Sequence, residues 1–427
     1  MNPNLKKIKF VHFVGIGGIG VSAIARMFLL EGKIVAGSDT ASSRTTEELK
    51  KLDARIYIGH DASQVSSDAE LLIYTIAVPE NNPERQEALR RGIPQLSYPQ
   101  LLGLLSKDKY TIAVSGTHGK TTTTGMIAKI LLDAGFDPTV IIGSFLSGYE
   151  SNFIAGKSKY LVVEACEYER SFLNINPQVI VITNIDNDHL DYYKDLDDIK
   201  SAFVEFVKKL PPDGVLITHA SDPALSSVLA VSKHTLDAGN ADIPTLLVPG
   251  NHNRENARLA LSVAEHLGIS TSQALASLSR FEGTWRRSQF KGKTATGALV
   301  YDDYAHHPTE IRATISAFRE RFPKKEITVV FQPHLYSRTK DLLQEFAEEL
   351  SRADYIILSP IYASREKNTH AISSKDLLKE IEKHNKKVSY YEDFDEIVKE
   401  LAASAKEKDL IITMGAGSIY AVAEKLI

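Results

Sequence analysis

The run Val114-Ser115-Gly116-Thr117-His118-Gly119-Lys120-Thr121-Thr122-Thr123 is composed for a polyphosphate. An apolar run, Tyr110 to Val114, reads as a buried strand before it. The apolar spacing from Thr124 to Leu132 reads as a helix after it. At such a junction, backbone N–H groups and the helix N-terminus face an anion. The lysine neutralises it, and the hydroxyl can hold Mg²⁺. Two residues separate Gly116 from Gly119, where the standard loop has four between its glycines. This is a shortened phosphate loop, and ATP or GTP is its natural ligand.

A second turn, Gly15-Ile16-Gly17-Gly18-Ile19-Gly20, follows an apolar run and precedes a helical pattern, with Ser38-Asp39 about twenty positions on. Gly15, Gly17 and Gly20 let backbone approach a pyrophosphate, and Asp39 can accept from a ribose or a base. A nicotinamide cofactor and a nucleotide-sugar diphosphate both fit. Glu164 ends the apolar run Leu161-Val162-Val163 and is placed for the nucleotide's metal. His189, in the polar cluster Asn184 to Asp191, can ligate a metal or handle a proton. Asn253 and Asn256 share a face at a helix start, and their amides suit an adenine edge. Three further polar strings follow short apolar runs: Trp285-Arg286-Arg287, Asp302-Asp303-Tyr304-Ala305-His306-His307-Pro308 and Gln332-Pro333-His334-Leu335-Tyr336-Ser337-Arg338. Their arginines suit phosphate or carboxylate.

These residues need a scaffold that delivers them to strand ends. Strand-like runs at 9–14, 33–37, 71–76, 110–114, 140–142, 160–164, 179–183, 215–218, 299–303, 327–332, 355–359, 388–391 and 410–414 alternate with helical patterns. The fold class is α/β, with parallel sheets covered on both faces. Ligands in such sheets lie beyond the carboxyl ends of the strands. Polar breaks divide the 427 residues into 1–106, 107–249 and 250–427. A net charge of −4 gives no basic field for nucleic acid. Cys166 is the only cysteine, so no intrachain disulfide forms. No signal peptide and no membrane-spanning run is evident. A cytoplasmic protein, with neither nucleic-acid nor membrane partner, is expected.

Taken in order, these strings resemble the Mur ligases, ATP-dependent enzymes that build the peptide of the bacterial cell wall. The resemblance spans essentially the whole chain. It rests on His12-Phe13-Val14-Gly15-Ile16-Gly17-Gly18, Ser115 to Thr122, Asp302 to Pro308, and Phe331-Gln332-Pro333-His334. The shortened phosphate loop is usual in that family. The resemblance implies three domains: an N-terminal Rossmann-like domain for a UDP-sugar, a central P-loop ATPase-type sheet, and a C-terminal Rossmann-like domain for the amino acid. It is nearest to the alanine-adding member. That implies ATP with Mg²⁺ (or Mn²⁺), UDP-N-acetylmuramate and L-alanine as substrates, and a monomer or weak homodimer.

Roles follow by resemblance. Lys120, His189 and Arg338 are the expected catalytic residues. Gly116, Thr117, His118, Gly119, Lys120, Thr121, Thr122, His252, Asn253, Asn256, Arg287 and Asp302 would contact ATP. Gly15, Gly17, Gly18, Ser38 and Asp39 would hold the UDP-sugar. Tyr304, His307 and Arg338 would face the amino acid, and Thr121, Glu164 and His189 the metal. Three departures stand out. Leu335 replaces a frequent arginine, which removes a substrate-side charge. Cys166 replaces an acidic residue in Glu164-Ala165-Cys166-Glu167. The segment from Gly214 to Val248 is short for such a ligase, and a hairpin usual in the central domain is expected to be absent. Phe203 stands where later-acting ligases carry a modified lysine, which favours the alanine-adding member. The rival readings are a recycling ligase that adds a tripeptide, a nicotinamide-dependent oxidoreductase, and a non-catalytic sensor of UDP-sugar and ATP.

Overall fold

The computed structural model describes residues 3–427 other than 190–191, 365, 368–371 and 385–386. Among the described residues the strands form three sheets. The first contains β1 (Phe10–Val14), β2 (Ile34–Asp39), β3 (Arg55–Ile58), β4 (Leu71–Tyr74) and β5 (Gln95–Ser97), parallel in the order β3-β2-β1-β4-β5. All of β1 is buried, which is why it reads as an unbroken apolar run. The order reverses beside β1, so the turn that leaves it opens into a crevice.

The second sheet contains β6 (Tyr110–Ser115), β7 (Thr139–Leu146), β8 (Ser151–Ile154), β9 (Tyr160–Glu164), β10 (Val179–Ile182), β11 (Val215–Thr218) and β12 (Thr235–Asp237). Its order is β12-β11-β10-β6-β9-β7-β8. Central β6 is flanked by β9 and β10. The phosphate loop, Glu164 and the cluster after Thr183 therefore emerge side by side. The third sheet contains β13 (Gln289–Lys293), β14 (Leu299–Asp303), β15 (Glu326–Phe331), β16 (Tyr355–Leu358), β17 (Val388–Tyr390) and β18 (Asp409–Met414), in the order β13-β14-β18-β15-β16-β17.

The sheets are not wholly parallel. β8 runs antiparallel to β7, and β13 antiparallel to β14. Both are edge strands, where a hairpin adds a strand without a crossover helix. The chain divides into two compact units: Met1–Pro244 with Asn256–Leu278, and Thr245–Glu255 with Ser279–Ile427. In the first unit one apolar core runs from Phe13 and Phe28 through Ile180 to Phe203 and Phe206. Asn152 of β8 donates to the Ile19 carbonyl and to Ser22 Oγ at 2.8 Å, tying the second sheet to the helix behind the first glycine turn. In the second unit, Phe318, Phe331 and Phe346 centre the core. No described helix is long and apolar enough to cross a membrane.

Candidate active site

The helix expected from Thr124 begins at Lys120, so the whole Lys-Thr-Thr-Thr run lies in its first turn. Its N-cap, Gly119, has φ +85° and no side-chain cap. A Cβ at Gly119 would lie 2.5 Å from Asn256 Oδ1, which places that buried amide against the loop. The cluster after β10 braces the loop from the other side. Asn184 accepts from His118 N–H at 3.0 Å and donates to the His118 carbonyl at 3.0 Å. Thr117 Oγ accepts from Asp186 N–H at 2.8 Å. His118 Nε2 lies 3.2 Å from Asp186 Oδ2. Gly116 (φ +127°) leaves no room, since a Cβ there would stand 2.0 Å from Thr183 Oγ1. Gly116→Ala should therefore destabilise the first unit by about 1–3 kcal/mol or more and weaken ATP binding. Urea unfolding at constant m-value and ATP calorimetry check this; an unchanged urea midpoint would contradict it.

Lys120 Nζ donates to the Gly116 carbonyl (2.6 Å), the Thr117 carbonyl (3.1 Å) and Glu167 Oε1 (2.8 Å). Burial alone pulls its pKa down, but the Glu167 carboxylate and its neighbours outweigh that and hold it above the ordinary lysine value. Thr121 Oγ1 donates to Glu164 Oε1 at 3.0 Å, and Glu164 Oε2 accepts from Gly143 N–H at 2.8 Å. His189 Nε2 lies 3.6 Å from Glu167 Oε1. Among the described residues, Glu167 Oε2 and His189 Nδ1 are buried without hydrogen-bond partners. His189 (φ +57°), Glu169 (φ +51°) and Arg170 (φ +54°) all hold left-handed backbone beside this cluster, the kind of strain that tertiary structure must maintain. Leu190 and Asp191 lie outside the described residues.

At the first glycine turn, Gly15 has φ +76°, and its Cβ position lies 2.4 Å from Thr75 Cγ2. Gly17 N–H donates to Asp39 Oδ2 at 2.8 Å, and Thr45 Oγ1 donates to the Gly17 carbonyl. Gly18 is the N-cap of the helix Ile19–Leu30 and offers no side-chain cap, so that helix end is open to an anion. Ser38 is fully buried beneath the turn, and its hydroxyl donates to Glu84 at 2.6 Å.

In the second unit, Asp302 and Asp303 end β14 and are both buried. Asp302 Oδ2 accepts from Arg286 Nε at 2.8 Å, and Oδ1 accepts from Thr413 Oγ1 at 2.6 Å. Burial pushes the Asp302 carboxyl up, against the pull of Arg286. Asp303 accepts from Ser288 N–H (2.6 Å) and Ala305 N–H (2.9 Å). The rings of Tyr304, His306 and His334 form a chain with centroids 5.2 and 5.5 Å apart, and Arg338 lies 3.4 Å from His334 Nδ1. Arg287 lies over Tyr304 and 3.6 Å from Glu310. His307 caps the helix Pro308–Arg321 through Nδ1. Asn253 Nδ2 donates to the Pro249 carbonyl at 2.6 Å, and burial lowers the His252 pKa.

Three family profiles tile the chain: Mur ligase family, catalytic domain, over residues 10–110; Mur ligase middle domain, over 114–243; and Mur ligase, glutamate ligase domain, over 286–417. The UDP-N-acetylmuramate–L-alanine ligase of Caldanaerobacter subterraneus subsp. tengcongensis is 43% identical, covering 100% of this chain and 99% of its own length. The chain belongs to the Mur ligase family. The enzyme of the same name from Lachnospira eligens is 42% identical over 98% of this chain and 97% of its own. The crystal structure of the UDP-N-acetylmuramate–alanine ligase of Thermotoga maritima superposes with a TM-score of 0.84 at 30% identity, covering 97% of each chain. The three sheets are the three Mur ligase domains.

Within this Mur ligase, the departures noted in the sequence acquire positions. Leu335 is buried and holds φ +68°. Cys166 is exposed. Phe203 is fully buried, edge-on to Phe172 at 5.2 Å. Glu167, the counter-ion of Lys120, was not singled out for chemistry by the sequence reading. The available signal was its place three residues after Glu164 in one acidic string.

Proposed function

We propose that this Mur ligase joins L-alanine to UDP-N-acetylmuramate with hydrolysis of ATP, in the cytoplasm, for peptidoglycan precursor synthesis. Full-length identity of 43% to a ligase of that name carries this reading. In the proposed reaction, an oxygen of the lactyl carboxylate attacks the γ-phosphorus of ATP and ADP leaves. The resulting acyl phosphate has a good leaving group where the free carboxylate had none. The alanine amine attacks its carbonyl carbon, phosphate leaves with the former carboxyl oxygen, and the amine proton passes to solvent.

The first sheet is assigned the sugar nucleotide, with its diphosphate at the open end of the helix Ile19–Leu30 and the Gly15-Ile16-Gly17-Gly18 turn. The second sheet is assigned ATP, whose phosphates would lie on Gly116 to Thr122. Lys120 would neutralise charge that builds on the transferred phosphoryl group. The hydroxyl of Thr121 and the carboxylate of Glu164 would hold Mg²⁺ (or Mn²⁺), with His189 and Glu167 nearby. The fit is supported by the 3.0 Å approach of Thr121 to Glu164 and by the buried Glu167 Oε2, which has no hydrogen-bond partner among the described residues. Such an ion, when bound, polarises phosphate oxygens. The third sheet is assigned the amino acid, near Tyr304, His307 and Arg338.

The experiment uses UDP-N-acetylmuramate labelled with ¹⁸O in the lactyl carboxylate. One labelled oxygen should appear in the inorganic phosphate released when L-alanine is present. Label retained wholly in the product would overturn the acyl-phosphate route. Turnover with tripeptide but not with alanine would overturn the substrate assignment.

A further inference from the structure

A polar cluster lies under the first glycine turn, and of its members only Ser38 carries a role assigned above. Glu84 is fully buried, in the first turn of the helix Pro83–Arg90. Its Oε2 lies 2.6 Å from His12 Nε2 on β1. Its Oε1 accepts from Ser38 Oγ on β2 at 2.6 Å and lies 2.8 Å from His60 Nδ1, just after β3. Ser38 Oγ and His60 Nδ1 are 3.0 Å apart. Three side chains from three strands or their ends thus converge on one buried carboxylate.

Among the described residues His12 Nδ1 is buried with no hydrogen-bond partner, so the ring meets the cluster through Nε2 alone.

Ser38 connects this cluster to the turn. Its hydroxyl lies on Glu84, while its backbone carbonyl accepts from Gly15 N–H at 2.9 Å and Ile16 N–H at 3.0 Å. The next residue, Asp39, holds Gly17 N–H. The N–H groups of Gly15, Ile16 and Gly17 are thereby engaged within the fold, while the helix Ile19–Leu30 begins without a side-chain cap.

We propose that Glu84, supported by His12 and His60, is a positioning residue for the sugar-nucleotide diphosphate. It anchors Ser38 and Asp39, and these set the angle at which the glycine turn presents the helix N-terminus. The inference rests on the assignment of UDP-N-acetylmuramate to this turn.

The test is Glu84→Gln in the full-length protein. It keeps shape but sets an N–H₂ against a cluster of donors. KM for UDP-N-acetylmuramate should rise roughly tenfold, in line with one buried unpaired donor. KM for ATP and kcat at saturation should stay within about twofold, which a general loss of structure would not allow. If Glu84→Gln does not fold, His60→Ala removes one partner of that carboxylate from a partly exposed position and carries the same expectation. Calorimetry with UDP-N-acetylmuramate alone separates the two levels of the argument. Binding by the native protein and equally by the variants would overturn the role of Glu84 and leave the site assignment standing. No binding by the native protein would overturn the assignment, and the inference with it. Parallel losses in both substrates would also overturn the inference.

Discussion

Lys120→Ala should lower turnover by about a hundred- to a thousandfold while leaving the affinity for UDP-N-acetylmuramate within about twofold. The lysine ammonium is held by two loop carbonyls and by the buried Glu167 carboxylate. It is thus fixed as a full charge at the mouth of the phosphate loop before any ligand arrives. Preorganised charge of this kind stabilises a transferred phosphoryl group without reorganisation at the moment of reaction. The glycine turn of the first sheet makes none of these contacts. A complication is that alanine leaves Glu167 buried without its cation, which destabilises the protein. The double variant Lys120→Ala/Glu167→Gln should recover stability and not turnover. Phosphate-release kinetics, calorimetry and thermal unfolding together decide the matter. Equal loss of turnover and of sugar-nucleotide affinity would contradict the assignment.

The central strands were legible because burial on both faces writes an unbroken apolar run, as in Val179–Ile182 and Tyr160–Glu164. Arg55–Ile58, Gln95–Ser97, Ser151–Ile154, Thr235–Asp237 and Gln289–Lys293 did not declare themselves, and all five lie at sheet edges. An edge strand has one paired side and needs little apolar content. Thr235–Asp237 is exposed at every residue. The phosphate loop and Glu164 were legible because glycine, lysine and hydroxyl residues at a strand end have one common use. Glu84 and Glu167 were not. A buried carboxylate looks like a surface one in sequence, and only tertiary structure brings His12 and Ser38 to the first and Lys120 to the second. Leu335, read in sequence as the loss of a substrate-side charge, is buried.

Asp302 illustrates how geometry reweights a residue chosen by its string, and Asp302→Ala should cost the second unit about 3–5 kcal/mol. Arg286, itself buried and at φ +60°, reaches Asp302 through Nε and the carbonyls of Gly415 and Gly417 through its other nitrogens. One side chain thereby joins the ends of β14 and β18 to the segment before β13. Removing the carboxylate leaves a buried guanidinium uncompensated, a larger loss than the pair's net contribution. Asp302→Asn keeps an acceptor for Arg286 and shape for Thr413 and should cost less, about 1–3 kcal/mol. A residue serving chiefly to touch ATP would behave otherwise: its alanine variant would raise KM for ATP and leave the urea midpoint in place. Because both Asp302 oxygens are engaged inside the unit, the midpoint is expected to fall first, in the absence of any nucleotide. An unaltered midpoint for Asp302→Ala would show that Arg286 does not depend on this partner.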